Sequence, residues 1–213
     1  MTTRGRFITL EGPDGSGKST QATLLADRLR AGGYEVLQTR EPGGTRTGEL
    51  IRDLVQHTPS QEALCTEAEM LLFAASRAQL TREVIQPALE SGTWVVCDRY
   101  ADSTVVYQGF GREADLDPIV AMNAVATGGL EPDLTVLVDV PVEEGRRRLA
   151  ARSQTTETYD RMEQQALGFH ERVRAGYQTW ARRFPERIRV VDGCGSMDEV
   201  ADAIWKITSE VLP

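Results

Sequence analysis

The 213-residue sequence predicts an α/β fold: a three-layer α/β/α arrangement in which helices cover both faces of a five-stranded parallel sheet. Two observations carry this. Short apolar runs alternate with longer segments of helical period. In addition, the polar, glycine-rich stretches fall directly after apolar runs, at the carboxyl ends of strands, where open α/β sheets bind ligands.

The elements follow in order. Residues 7–10 read as a buried strand that ends at Gly12. A helical pattern over 18–30 sets Leu24, Leu25 and Leu29 on one face and stops at Gly32 and Gly33. Residues 34–39, 94–97, 134–140 and 188–191 supply four further strands. Helices are predicted over 47–57, 66–90, 115–127, 143–152, 160–183 and 197–211. The stretch 153–159 is polar and poor in helix signal, which predicts a surface loop. With no Pro/Gly/Ser linker, internal repeat or low-complexity tract, residues 1–213 read as a single domain.

Composition narrows the function. Hydrophobic residues make up 40% and charged residues 26%, as in ordinary globular domains. A formal net charge of −8 repels a nucleic-acid polyanion, and the basic run Arg146-Arg147-Arg148 is too short for a nucleic-acid arm. Three scattered cysteines and two histidines form neither a zinc pattern nor a disulfide framework. Residues 1–6 hold no apolar signal core, and no run approaches the ~18 apolar residues of a membrane span. A soluble, cytoplasmic protein without membrane or nucleic-acid partners is expected.

Gly12-Pro13-Asp14-Gly15-Ser16-Gly17-Lys18-Ser19 matches GxxxxGK[ST] between a strand and a helix. Glycines let backbone N–H groups converge on phosphate oxygens, and the following helix points its positive end at the same anion. Lys18 reaches the outer phosphates and the Ser19 hydroxyl suits Mg²⁺. The fold is thus expected to be a P-loop fold that binds a purine nucleotide. No NKxD-type guanine motif is present.

Four further blocks follow in order: Thr39-Arg40-Glu41-Pro42-Gly43-Gly44-Thr45; Leu71-Leu72-Phe73-Ala74-Ala75-Ser76-Arg77-Ala78-Gln79; Asp98-Arg99-Tyr100 with Ser103-Thr104 and Tyr107-Gln108-Gly109; and Asp160-Arg161-Met162-Glu163. Together with the P-loop, from Phe7 to about Asp192, they resemble bacterial thymidylate kinases, nucleoside monophosphate kinases with ATP and Mg²⁺ as cofactors. The resemblance implies phosphorylation of dTMP to dTDP in dTTP biosynthesis, and a homodimer. It implies that Phe73 stacks on thymine and Arg77 contacts the base, that Asp14 meets the sugar 3′-hydroxyl, and that Ser103, Thr104, Tyr107 and Gln108 read pyrimidine and sugar, with Tyr107 near C2′. Glu41 and Pro42 form the opposite wall.

Residue chemistry stands beside this. Phe73 and Arg77, four apart, share a helix face, although Phe73 among leucines also suits a core. Asp98 suits water-mediated Mg²⁺ or a contact to Lys18. Arg99 can bridge two phosphoryl groups, although the two also suit a surface pair. Glu41 suits a structural helix-cap or ion-pair acid as well as it suits the pocket wall. Gln108 carries both the donor and the acceptor that a base edge requires.

Family analogy also places a lid at about 146–163. Where some thymidylate kinases carry a P-loop arginine, this chain has Gly15. The catalytic cation is then expected from Arg152 first and Arg161 second, with Arg148 and Thr20 beside the bound ATP. Adenine is expected near residues 192–196. The rival readings are a kinase for another monophosphate, such as CMP, and a non-catalytic nucleotide-binding protein.

Overall fold

Five strands, β1 (Phe7–Glu11), β2 (Val36–Arg40), β3 (Trp94–Asp98), β4 (Leu134–Asp139) and β5 (Ile188–Asp192), form one parallel sheet in the order β2-β3-β1-β4-β5. The coordinates are a computed structural model, which describes residues 4–57, 64–153 and 161–212. Because β1, β3 and β4 are buried on both faces, they are near-continuous apolar runs.

The helices are α1 (Lys18–Ala31), α2 (Arg46–His57), α3 (Thr66–Leu80), α4 (Gln86–Glu90), α5 (Ala101–Thr104), α6 (Leu116–Thr127), α7 (Val142–Ser153), α8 (Leu167–Arg183) and α9 (Met197–Thr208). On one face of the sheet, Ala22, Leu25 and Leu29 of α1 and Val200 and Ile204 of α9 pack on Ile8, Leu10, Val136 and Val138. On the other face, Phe169, Val173, Tyr177 and Trp180 of α8 cover Leu137 and Ile188, while Leu80, Ile85 and Leu89 cover Phe7, Val95 and Cys97. These two cores give the three layers. All three cysteines are unpaired, with Cys97 buried. Among the described residues no helix is long and apolar enough to cross a membrane.

Three elements differ from the sequence reading. The helix over 66–90 is α3 and α4 joined by a π-helical turn at Thr81–Ile85. Pro87 follows; it has no N–H to close an i→i−4 bond, and a widened turn absorbs the defect. The helix predicted over 160–183 begins only at Leu167, after turns at 161–165; Asp160 and the loop core at 154–160 lie outside the described residues. The third difference is a helical block missed altogether: α5 continues into a π-helical segment, Val105–Gly111. Its valines, aromatics and glycines have weak helix propensity. Burial of Val105, Val106 and Tyr107 against α8 overrides that preference.

Candidate active site

Strand register gathers the motifs. Leu10 pairs with Asp98, Arg40 with Asp98, Glu11 with Leu137 and Asp139 with Asp192. The stretches that follow β1, β2, β3 and β5 therefore open on one edge of the sheet.

The P-loop runs from β1 into α1, with Gly17 capping the helix in a left-handed conformation. At Gly12, φ +150°, a Cβ would lie 2.4 Å from the Val138 carbonyl oxygen; at Gly15, φ +77°, it would lie 2.2 Å from that of Gly145. No side chain fits either position, so the loop backbone stays bare toward a ligand. Lys18 is buried and donates from Nζ to the Pro13 carbonyl at 3.2 Å. Burial and the neighbouring Arg99 hold its pKa below the usual lysine value, against the opposing pull of Asp14 and Asp98. An anion placed here relieves that cost. The Ser16 hydroxyl is buried without a partner. Ser19 donates to one oxygen of Asp98, and the other oxygen of that carboxylate is buried with no partner.

Arg99 sits at the end of β3 with φ +72°, an unusual backbone for a residue with a side chain and a marker of functional strain. It turns the guanidinium over the P-loop. Nη1 donates to the Gly12 carbonyl (3.3 Å), Ser103 Oγ (3.1 Å) and Tyr177 OH (3.2 Å); Nη2 donates to Asp14 Oδ1 (2.5 Å) and Tyr107 OH (3.0 Å). Burial pushes the Asp14 carboxyl up, but Arg99 and Lys18 outweigh it and leave the group below its ordinary value. Two residues the sequence reading missed complete this cage. Glu11, buried, accepts from the Tyr100 N–H (2.8 Å), Ser103 Oγ (2.6 Å) and Tyr177 OH (2.8 Å). Burial and the Asp102 charge raise its pKa.

Beside the cage lies a cavity of about 70 Å³ lined by Asp14, Glu41, Pro42, Gln56, Phe73, Arg77, Arg99, Ser103, Thr104, Tyr107, Gln108 and Met162, with apolar walls and a few convergent polar groups. Phe73 is half-buried on its wall. Arg77 is only 1% exposed. It donates to Glu41 Oε2 from Nε (2.9 Å) and Nη2 (2.7 Å), to Asn123 Oδ1 (2.7 Å), to the Tyr100 carbonyl (3.1 Å) and to Thr104 Oγ1 (3.0 Å). Glu41 both lines the cavity and forms the ion pair with Arg77. Burial pushes its carboxyl up to about 7 against the pull of Arg77, and Oε1 has no partner.

Asp14, Arg99, Glu41 and Pro42 also border the adjoining cleft that holds Lys18, Ser19, Asp98 and Arg152. Arg152 reaches this cleft from the end of α7 and pairs with Glu163 at 2.6 Å. Arg161 does not join it: the guanidinium donates to Glu69 and to the Val55 carbonyl, tying the turn at 161–164 to α2 and α3. On the far side of the P-loop a third hollow is lined by Ser16, Gly17, Thr20, Gln21, Arg148, Gly193 and Gly195. Arg148 bridges Glu144 (2.6 Å) and the Gly193 carbonyl (2.9 Å). The sequence reading put adenine beside these same segments.

Among the described residues no group of three His, Cys, Asp or Glu side chains is placed to hold a metal. The Ser19–Asp98 pair with its unpartnered oxygen is a hard-oxygen site that fits Mg²⁺ completed by phosphate and water.

The chain is similar to proteins of known name over nearly its full length. The family model described as "Thymidylate kinase" matches residues 10–204. The thymidylate kinase of Thermomicrobium roseum is 52% identical over 206 residues, covering 97% of this chain and 95% of that protein. The thymidylate kinase of Deinococcus radiodurans is 49% identical, covering 97% and 98%. The crystal structure of thymidylate kinase from Ehrlichia chaffeensis superposes with a TM-score of 0.76 at 33% identity, covering 96% of this chain and 99% of that one. With this likeness running through the P-loop, the Arg99 cage and the Phe73–Arg77 wall alike, the chain belongs to the thymidylate kinase family.

Proposed function

We propose that the protein phosphorylates dTMP to dTDP with ATP and Mg²⁺. One observation carries this: Asp14 and Arg99 form a wall shared by the half-open, partly aromatic cavity and the phosphate cleft. A nucleotide with its base against Phe73 and Arg77 directs its phosphate at Arg99, toward the site where the P-loop holds the terminal phosphate of the donor.

The acceptor phosphate is already anionic, so no strong general base is needed. One of its oxygens attacks the γ-phosphorus in line as the bond to the bridging oxygen breaks and ADP departs. Lys18, Arg99 and Arg152 neutralise the charge spread over the transferring group. The Glu11 cage fixes Arg99 before substrate arrives, so little reorganisation accompanies the step. Gly12 to Ser19 wrap the triphosphate, while Thr20 and Arg148 flank the nucleoside of ATP. Asp14 serves the acceptor sugar and Tyr107 disfavours a 2′-hydroxyl. Ser103, Thr104 and Gln108 read the base. Ser19 and Asp98 would hold Mg²⁺, which when bound would screen the phosphate charges.

Residues 1–213 act as one P-loop kinase domain with its lid at about 146–163, working in the cytoplasm as a step in dTTP biosynthesis. A homodimer is supported by exposed apolar residues on α2, α3 and α6, helices that pack side by side: Leu50, Leu54, Leu71, Val120 and Val125.

The test is ADP release with ATP and each of dTMP, dUMP, dCMP and dGMP. Turnover with dTMP is expected to lead; a dCMP rate well above that of dTMP removes the assignment.

A further inference from the structure

Behind the cavity wall lies a buried acid that the phosphoryl-transfer reading leaves unused. Glu69 of α3 is 1% exposed. Three donors from two separate stretches of chain converge on it. Gln108 Nε2 donates to Oε1 at 2.8 Å, Arg112 Nη2 to Oε2 at 3.3 Å, and Arg161 Nη2 to Oε2 as well. Of these four side chains, that of Gln108 alone lines the cavity.

A side-chain amide is ambiguous until its neighbours decide which end points where. Here they do. A carboxylate paired with two guanidinium groups can only accept, so the NH₂ of Gln108 must face Glu69. Its oxygen is then left for the cavity.

We propose that Glu69 is a specificity-determining positioning residue: it locks the Gln108 amide so that a carbonyl oxygen faces the base. The inference rests on the proposed acceptor site. Such an oxygen complements a ring N3–H, which thymine and uracil carry. It opposes a bare ring nitrogen with a lone pair, which cytosine carries at the same position. Selection among pyrimidine monophosphates is therefore set one residue behind the wall. Arg161 and Arg112 contribute by holding Glu69 acceptor-only.

The argument fixes the sign of a substitution. In Glu69→Gln the two arginines still donate, so they claim the new amide oxygen. The new NH₂ then faces Gln108, whose own amide turns and presents NH₂ to the base. A buried polar mismatch of this kind discriminates far more strongly than a missing methyl group.

The experiment measures kcat and KM for dTMP and dCMP with the full chain. In Glu69→Gln the ratio of kcat/KM for dTMP over dCMP is expected to fall at least tenfold, mainly through the two KM values. Gln108→Met should lower the same ratio, and adding Glu69→Gln to it should leave the ratio unchanged within threefold. Equal loss with both substrates in Glu69→Gln overturns the proposal, as does a further tenfold fall in the double variant. If Glu69→Gln does not fold, Gln108→Met still decides: an unchanged ratio of kcat/KM for dTMP over dCMP shows that no Gln108 oxygen reads the base and sinks the idea. Absence of dTMP turnover in the unaltered enzyme would instead refute the acceptor assignment itself.

Discussion

Replacing Arg77 by Ala tests the buried clamp behind the acceptor cavity and gives a loss whose size changes with pH. Arg77 makes two of its bonds to Glu41 Oε2, and its removal strands a carboxylate in the wall. Breaking a buried pair from one side costs about 3–5 kcal/mol. For a chain of this size that corresponds to a loss in Tm of roughly 6–20 °C. The pH dependence follows from Glu41. Burial has moved its carboxyl from 4.5 up to about 7, with Arg77 opposing. The folded chain thus holds this proton more tightly than the unfolded one. The contribution favours the fold below 4.5 and is lost as pH rises through 7, by about 3 kcal/mol in all. Without Arg77 the carboxyl climbs further, and the loss at alkaline pH deepens. Thermal melts of the wild type and Arg77→Ala should differ least at pH 6, where Glu41 carries its proton in the variant, and most at pH 8.5. Adding Glu41→Gln to Arg77→Ala should flatten the dependence. A Tm gap equal at the two pH values, or under about 2 °C at pH 8.5, would refute the reasoning.

Other expectations follow from the same contacts. Lys18→Ala should abolish transfer yet leave Tm unchanged or slightly raised, because a buried ammonium held below its ordinary pKa is a cost to the empty fold; it should also cancel the rise in Tm that pyrophosphate gives the wild type. Asp98→Asn should raise the Mg²⁺ concentration at half-maximal rate at least tenfold while leaving dTMP binding by calorimetry within threefold. Arg152→Ala should lower kcat at least a hundredfold with little change in dTMP affinity, whereas Arg161→Ala should act chiefly on Tm; the reverse pattern would reassign the lid cation. Leu71→Glu should yield a monomer by sedimentation if α3 lies in the dimer face.

What the sequence disclosed is what local chemistry dictates. A strand, a bare glycine loop and a helix start are a contiguous signal, so the P-loop could be read directly. Phe73 and Arg77 were legible as neighbours because four residues make one helical turn. Glu11 and Tyr177 were not. Glu11 ends a run of apolar residues and reads as the strand's last position, and Tyr177 sits in an ordinary amphipathic helix. The pairing of β1 with β3 brings Glu11 to Ser103, and the packing of α8 on the 105–111 segment brings Tyr177 to Glu11, Ser103 and Arg99. The helical block Ala101–Gly111 was hidden for a related reason. Its π-helical half departs from the 3.6-residue period on which helix reading depends.

The close packing of α7 on the P-loop bears on the proposed role of Arg152 as the catalytic cation. Sequence reading could say only that position 15 holds glycine where some relatives hold arginine. The structure supplies the reason that no side chain can stand there. The P-loop at Gly15 lies against α7 at Gly145, where a Cβ on either glycine would meet backbone oxygen, at 2.2 Å from Gly15 and 2.6 Å from Gly145. The two glycines are one contact. That contact lets α7 approach the P-loop closely and brings Arg148 to the nucleoside side and Arg152 to the phosphate cleft. A loop arginine and a closely docked α7 are therefore alternatives. An arginine at 15 would push α7 away and displace the cation that replaces it, so Gly15→Arg should lose activity rather than gain a second catalytic charge. If Gly15→Arg proved as active as the wild type, α7 would not need that close approach, and Arg152 would lose its claim to the phosphate cleft.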